Sequence, residues 1–389
     1  MIEVLGRRGT RTPGGGGVAP PAPPVNTVAP VVSLPALYEI GETASGTNGT
    51  WTGATSFEYR WTLRGVVMGS ATANTFQLLG ADLGGVGPAL TSELFGDALF
   101  ASGQGPDVQM EVRATGPGGV SAWVPSSNSL RFDWAQYADV YQLIDERGQT
   151  FSGSDLTIWA NQGAVAGTYT GIFGNYAQSG TPINGFSSPR LNGTSTRLNS
   201  TMTARNLVGG SPLDGTRYAM LVRVARFYGF PAGGAGDANV WQAGVQVPDA
   251  SSGNLAFNGQ RDAAGTFTAR SGVNANVAPT GYRVSNLTVG SDTGVHVQET
   301  LLGGGTLVER WDGVAGGSAT FNGHSSAPGA GNTTTLGCSY QPVPTFFLNA
   351  DLATEVCLAS GSPFSSAKIN TIRAVLAGKY GAATGYTYP

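Results

Sequence analysis

The chain has 389 residues, with 60 glycines, 22 prolines and a charged fraction of 12%. The formal net charge is −3, and of 21 basic residues only Lys368 and Lys379 are lysines. This excludes a nucleic-acid binder, which needs clustered basic charge, and a long helical bundle, where each interior glycine costs about 1 kcal/mol. Charge-driven disorder is excluded by the 40% hydrophobic content, and collagen by the absence of a glycine period of three. What remains is a turn-rich, all-β protein with polarity supplied by Ser, Thr, Asn and Gln.

Length suggests two or three domains. Residues 1–31 open with a short apolar head (Ile2, Val4, Leu5) among Arg7, Arg8 and Arg11. Glycines 14–17 then form a flexible piece, and Ala19-Pro-Pro-Ala-Pro-Pro24 a stiff polyproline piece. The unit reads either as a docking peptide or as a disordered tail. No apolar segment of signal-peptide length follows the basic head, and no stretch approaches 18 apolar residues. Export by a signal and membrane insertion are therefore not expected.

Residues 32–130 read as strands of a small sandwich. Phe57, Tyr59 and Trp61 alternate with Glu58, Arg60 and Thr62, and Val108, Met110 and Val112 with Gln109, Glu111 and Arg113. Turn signals stand at Thr47-Asn-Gly and Gly116-Pro-Gly-Gly. Asn48-Gly-Thr-Trp-Thr-Gly, Phe57-Glu-Tyr-Arg-Trp, Ala81-Asp-Leu-Gly and Val112-Arg-Ala-Thr-Gly-Pro-Gly-Gly together resemble bacterial and phage immunoglobulin-like repeats. In such repeats an aromatic-x-Trp strand packs the core and a closing hairpin ends the sheet. The resemblance implies a spacer or adhesive module. It departs at residues 86–106, where an insertion is expected to form a short helix over 91–101.

Residues 131–389 read as one larger unit. Apolar strands include Tyr218-Ala-Met-Leu-Val-Arg-Val-Ala-Arg-Phe, Val295-His-Val-Gln-Glu-Thr and Ala353-Thr-Glu-Val-Cys-Leu-Ala. A helix is expected near the end. Ser365 or Ser366 caps it, Ile369, Ile372, Leu376 and Tyr380 share one face, and Gly381 stops it. A second short helix is expected over 134–143. Cys338 and Cys357 read either as a single bridge or as two buried thiols.

Leu143-Ile-Asp-Glu, Leu156-Thr-Ile-Trp-Ala-Asn-Gln-Gly, Pro182-Ile-Asn-Gly-Phe and Pro189-Arg-Leu-Asn-Gly resemble the opening of concanavalin A-like (laminin G-like) lectin and glucanase domains. The ending Phe347-Leu-Asn-Ala-Asp-Leu-Ala-Thr-Glu-Val-Cys-Leu, followed by Ser362-Pro-Phe and the helix up to Lys379-Tyr-Gly, is similar to that family's last strand and helix. It departs at Asn349-Ala350, where the family usually has Gly. The resemblance implies a jelly-roll sandwich with a C-terminal helix, and a structural role for Glu355.

Glycoside hydrolysis needs two carboxylates about 5–9 Å apart, and the family's glucanases carry them as Glu-x-Asp-x-(x)-Glu on one strand. No such spacing occurs. Asp145 and Glu146 are adjacent and would face opposite sides of a strand, and Glu299 and Glu309 are isolated. Neither His296 nor His324 has a Ser, Asp or metal-ligand neighbour at useful spacing, and no Gly-x-Ser-x-Gly elbow is present. The expectation is therefore no enzyme, no cofactor and no metal.

Sugars bind where an aromatic ring stacks on a pyranose and amides or carboxylates give directional hydrogen bonds. The candidates are Tyr169, Phe173, Asn175, Tyr176, Asp237, Asn239, Trp311, Asp312 and His324, with Phe230, Trp241 and Asn322 beside them. Each also reads as a core or rim residue, Trp159 and Trp241 most clearly as core.

The order of anchor, immunoglobulin-like spacer and lectin-like end recurs in phage virion fibres and decoration proteins. The resemblances thus imply a virion component, a tail fibre, baseplate part or head spike. It would be attached to other virion proteins through residues 1–31 and contact host surface polysaccharide through the distal domain. Many weak copies would act together, as a trimer or, at a capsid vertex, a pentamer. A cement protein without sugar affinity and a secreted polysaccharide-degrading enzyme are the alternatives.

Overall fold

The computed structural model describes residues 19–34, 37, 39, 41–63, 66–68, 72–77, 108–130, 134–172, 176–193, 195–203, 217–228, 239–243, 255–261, 267–275, 281–289, 293–321, 333–336 and 348–384. It is an all-β fold with a C-terminal helix. The expected helix over 91–101 lies outside the described residues.

The first strands are β1 (Val25–Val28), β2 (Val32–Ser33), β3 (Thr43–Gly46), β4 (Thr50–Thr52), β5 (Ser56–Leu63), β6 (Val66–Met68), β7 (Thr75–Gln77), β8 (Val108–Gly116), β9 (Gly119–Val120) and β10 (Val124–Pro125). They pair as β10-β8-β5-β6, with β9 on β8, as β2-β3-β7, and as β1-β4. The alternation in β8 is realised as read: Val108, Met110 and Val112 are fully buried against Trp61, whose ring stacks on Phe76 at 5.4 Å. On the outer face, register partners Arg60 and Glu111, and Arg113 and Glu58, form cross-strand ion pairs. Both guanidinium groups lie over the Trp123 ring, at 4.4 and 4.7 Å.

Residues 25–28, expected within the tether, form a strand paired with β4. The polyproline piece just before them lies on the β8–β9 hairpin, so close that a Cβ at Gly118 would clash with the Ala22 carbonyl. Asn128 closes this group by exchanging two hydrogen bonds with the Val32 backbone, at 2.9 and 2.8 Å.

The later strands are β11 (Val140–Ile144), β12 (Gln149–Ser152), β13 (Asp155–Ala160), β14 (Thr168–Gly171), β15 (Ala177–Ser179), β16 (Pro189–Asn192), β17 (Leu198–Thr203), β18 (Tyr218–Tyr228), β19 (Asn239–Ala243), β20 (Leu255–Arg261), β21 (Phe267–Ala275), β22 (Gly281–Val289), β23 (Thr293–Gly303), β24 (Thr306–Trp311), β25 (Val314–Thr320), β26 (Thr333–Leu336) and β27 (Asn349–Ser360); helix α1 spans Ser366–Thr384. One long sheet runs β25-β24-β23-β18-β27-β16-β15-β13-β14-β17-β26, with β11 on β27 and β12 on β13, and a separate sheet runs β19-β20-β21-β22. A sheet this long does not stay flat. Its two ends contribute to one core, where Trp159 and Tyr169 from β13 and β14 join Leu221 and Phe227 from β18 and Trp311 from β24.

The opposite face of β18, β23 and β27 is covered by α1. Met220, Val222, Val224, Val297 and Val356 share a buried cluster with Ile372, Val375, Leu376 and Tyr380. Ser365 caps the helix, its Oγ accepting from the Lys368 N–H at 3.0 Å. The helix does not stop at Gly381 but continues to Thr384. Tertiary contacts hold its last turns: Tyr380 is buried, Lys379 Nζ lies 2.8 Å from Glu146, and Asn184 donates to the Lys379 carbonyl at 2.7 Å.

The helix expected over 134–143 is not formed. Trp134–Gln136 make one 3-10 turn and Val140–Ile144 form β11, antiparallel to β27. Val140, Tyr141 and Ile144 are strand-favouring residues, and β27 offers them a ladder. Cys357 is fully buried, while Cys338 lies outside the described residues.

Candidate functional site

The expected sugar-contacting residues do not converge on one patch. Tyr169 is fully buried, and its hydroxyl donates to Gln142 Oε1 at 2.8 Å. Trp311 is buried, its ring 5.3 Å from Phe227 and 4.6 Å from His296. Both rings belong to the core and offer no open face. Tyr176 is half-buried. Asn239 and Trp241 lie in β19, where only the backbone is described. Phe173, Asn175, Asp237 and His324, with Phe230 and Asn322, lie outside the described residues. Trp159 is a core residue as read, its Nε1 donating to the Asp145 carbonyl at 2.7 Å.

Asp312 stands at a tight turn with φ of 49°. Its Oδ1 accepts from the Val297 N–H at 2.8 Å and its Oδ2 faces His296 Nδ1 at 2.7 Å. His296 Nε2 lies 2.9 Å from the Thr293 carbonyl. The expectation that His296 has no acidic neighbour is thus corrected. The neighbour arrives through the β23–β24 register, where Gln298 opposes Trp311.

The carboxylates read as isolated or divergent are also gathered by the fold. Glu299 pairs with Arg373 of α1 at 2.5 Å and with Arg310 at 3.5 Å. Asp145 and Glu146 both turn toward Lys379, at 3.8 and 2.8 Å, because the chain makes a 3-10 turn there instead of a strand. On the inner face, Arg223 holds Glu355 at 2.6 Å, Gln142 donates to Glu355 Oε1 at 2.9 Å, and Gln298 donates to Glu309 Oε1 at 2.9 Å. Glu355 is therefore a core hydrogen-bonding residue. Burial pushes the Glu309 carboxyl well above the usual range, and burial lowers the Arg223 guanidinium despite Glu355 beside it.

Exposed chemistry lies elsewhere, on a ledge of the long sheet beyond the cover of α1. Arg190, Asp351 and Arg226 are register partners in one row across β16, β27 and β18. Tyr228 follows two residues after Arg226, on the same side of its strand. Among the described residues it is an exposed aromatic residue, 41% open.

The Arg190 guanidinium lies over that ring at 3.9 Å, and its Nη2 donates to Asn349 Oδ1 at 2.6 Å. Arg226 donates to the carbonyls of Thr181 and Pro182, each at 3.2 Å. Asp351 is buried beneath them. Its Oδ2 accepts from the Tyr228 hydroxyl and from the Thr181 N–H. Its carboxyl is raised above its ordinary value by burial, against the opposing pull of these hydrogen bonds and of both arginines.

This ledge was missed because its parts are spread over three distant segments. One signal was available: Arg226 and Tyr228 are polar or amphipathic residues at period two in an otherwise apolar run.

No family model and no curated protein sequence matches the chain. Similar solved structures include the binding domain of botulinum neurotoxin serotype G, at 7% identity and TM-score 0.37, covering 60% of this chain and 50% of that one. The enzymatically active domain of bacteriophage CBA120 tailspike protein 2 matches at 11% identity and TM-score 0.31, covering 54% of this chain and 29% of that one. A Trypanosoma rangeli sialidase matches at 9% identity and TM-score 0.37, covering 70% of this chain and 43% of that one. The chain thus spans half or less of each of these structures. These matches overturn the expectation that the chain is not an enzyme, since an enzymatically active tailspike domain and a sialidase stand among them. That expectation rested on spacing within single strands, which is blind to carboxylates brought together from different strands. At these TM-scores the likeness assigns neither an activity nor a substrate.

Proposed function

We propose that the protein is a glycan-binding component of a phage or phage-like particle, displayed on the particle surface and contacting host polysaccharide through the ledge around Tyr228. The observation that carries this reading is the exposed Tyr228, set with Arg190 against its ring and Arg226 two residues before it on one sheet face. Sugar recognition uses an aromatic platform with fixed polar groups around it, and sites on strands hold such geometry better than sites on loops. The segment before residue 19 would attach the chain to other virion proteins. Several copies would compensate for weak single-site contact, as a trimer or a pentamer.

The test is a glycan array probed with the full chain and with Tyr228→Ala, alongside sedimentation to read the copy number. The expected result is binding to at least one bacterial surface polysaccharide, lost in the variant. Absence of binding to every glycan would overturn the reading in favour of a cement protein. Reducing-end release from bound polysaccharides, measured in the same samples, reads whether binding is accompanied by cleavage.

A further inference from the structure

We infer that the ledge takes a carboxylate-bearing sugar residue, such as a uronic acid unit of an acidic polysaccharide; this rests on the glycan-contact reading above. Two guanidinium groups converge on a single carboxylate, with Arg190 Nη1 3.9 Å from Asp351 Oδ1 and Arg226 Nη1 3.7 Å from Asp351 Oδ2. One positive charge is left over. The side chains of Arg190 and Arg226 are 30% and 24% exposed, whereas that of Asp351 is fully buried. What faces solvent is therefore cationic.

The hydrogen-bond inventory points the same way. A neutral sugar presents hydroxyls, which bind best where donors and acceptors alternate. Here the acceptors are engaged or sealed from solvent: Asp351 Oδ1 has no hydrogen-bond partner among the described residues but is fully buried beneath the two guanidinium groups. Asp351 Oδ2 takes the Tyr228 hydroxyl and the Thr181 N–H, and Asn349 Oδ1 takes Arg190. Each guanidinium carries five N–H donors; one from Arg190 and two from Arg226 are engaged in hydrogen bonds, and Arg190 Nη1 is buried above Asp351. A surface rich in donors and short of acceptors matches an acceptor-only group.

The planar fork of Arg fits a planar carboxylate in paired bonds. A pyranose resting against the Tyr228 ring carries its C6 carboxylate one bond from the sugar ring, within reach of guanidinium groups stacked on and beside that aromatic.

The experiment pairs each of several acidic bacterial polysaccharides with its carboxyl-reduced form and measures binding to the full chain at low and moderate salt. Arg190→Gln, Arg226→Gln and Arg190→Lys are measured in parallel, with melting curves to confirm folding. The expected result is a loss of about tenfold or more on carboxyl reduction, and a similar loss in either Gln variant, the scale of a lost charge-assisted hydrogen-bond pair. Arg190→Lys should also weaken binding, since it keeps the charge but not the fork. Equal binding to reduced polysaccharides overturns the inference and leaves the glycan-contact reading standing. Binding that follows sulfate or phosphate groups instead of carboxylates overturns it too, as does acidic binding unchanged in folded Gln variants. Failure to bind any polysaccharide overturns both.

Discussion

Arg223 and Glu355 face each other on adjacent strands β18 and β27, with Nη2 2.6 Å and Nε 3.1 Å from the same carboxylate oxygen, and neither side chain reaches solvent. A buried pair of this kind contributes little net stability over an apolar pair, but removing one partner strands the other charge. Glu355→Leu alone should cost about 3–5 kcal/mol. The double replacement Arg223→Met with Glu355→Leu should recover most of that loss. Urea midpoints at unchanged m-value check it; a double variant as unstable as the single one would show that the charges themselves are required.

Glu309 sets a pH dependence. Burial holds its carboxyl well above the ordinary 4.5, the Glu299 charge adds to the rise, and the Gln298 hydrogen bond and Arg223 oppose it. Above the ordinary value the unfolded chain releases a proton that the folded chain keeps. Stability from this group is thus fully present below about 4.5 and declines as pH rises toward the raised value. Glu309→Gln should flatten the decline between mildly acid and mildly alkaline pH. Urea midpoints for both proteins across that range decide the matter, and parallel curves would sink it.

The polyproline piece is held down at Gly118. A Cβ there meets the Ala22 carbonyl and the Pro21 carbonyl oxygen, not a flexible side-chain end. Gly118→Ala should cost about 1–3 kcal/mol, the range of local overpacking, and should expose the segment before β1 to protease. Limited proteolysis with N-terminal sequencing reads this. Cleavage no faster than in the parent chain would mean that the contact adjusts without release.

Cys357 sits fully buried between β18 and β11, and burial pushes its thiol far up, with the Glu355 charge adding. The thiolate is the reactive form, so alkylation at Cys357 should be negligible in the folded chain and should appear with global unfolding. Peptide mass spectrometry across a urea series measures it. Rapid labelling without denaturant would contradict the burial.

What the sequence determined by itself was local. The period-two patterns of β5 and β8, the Ser365 cap and the apolar stripe of α1 follow from neighbours within a few residues, because side-chain direction repeats every two residues in a strand and about every 3.6 in a helix. The all-β class followed from glycine and proline content in the same way. Only the tertiary structure decided which strands lie side by side. Residues 134–143 became a turn and a strand because β27 supplied a ladder, and Gly381 failed to end α1 because Lys379 and Tyr380 were already anchored. The ledge needed residues 190, 226, 228 and 351 to meet, and the inner network needed 142, 223, 298, 309 and 355. Such meetings depend on strand order and register, for which a linear pattern carries no term. The polar groups most visible in the sequence, Tyr169, Trp311 and Asp312, were drawn into the core or its rim, while Tyr228, at the end of an apolar strand, stays exposed.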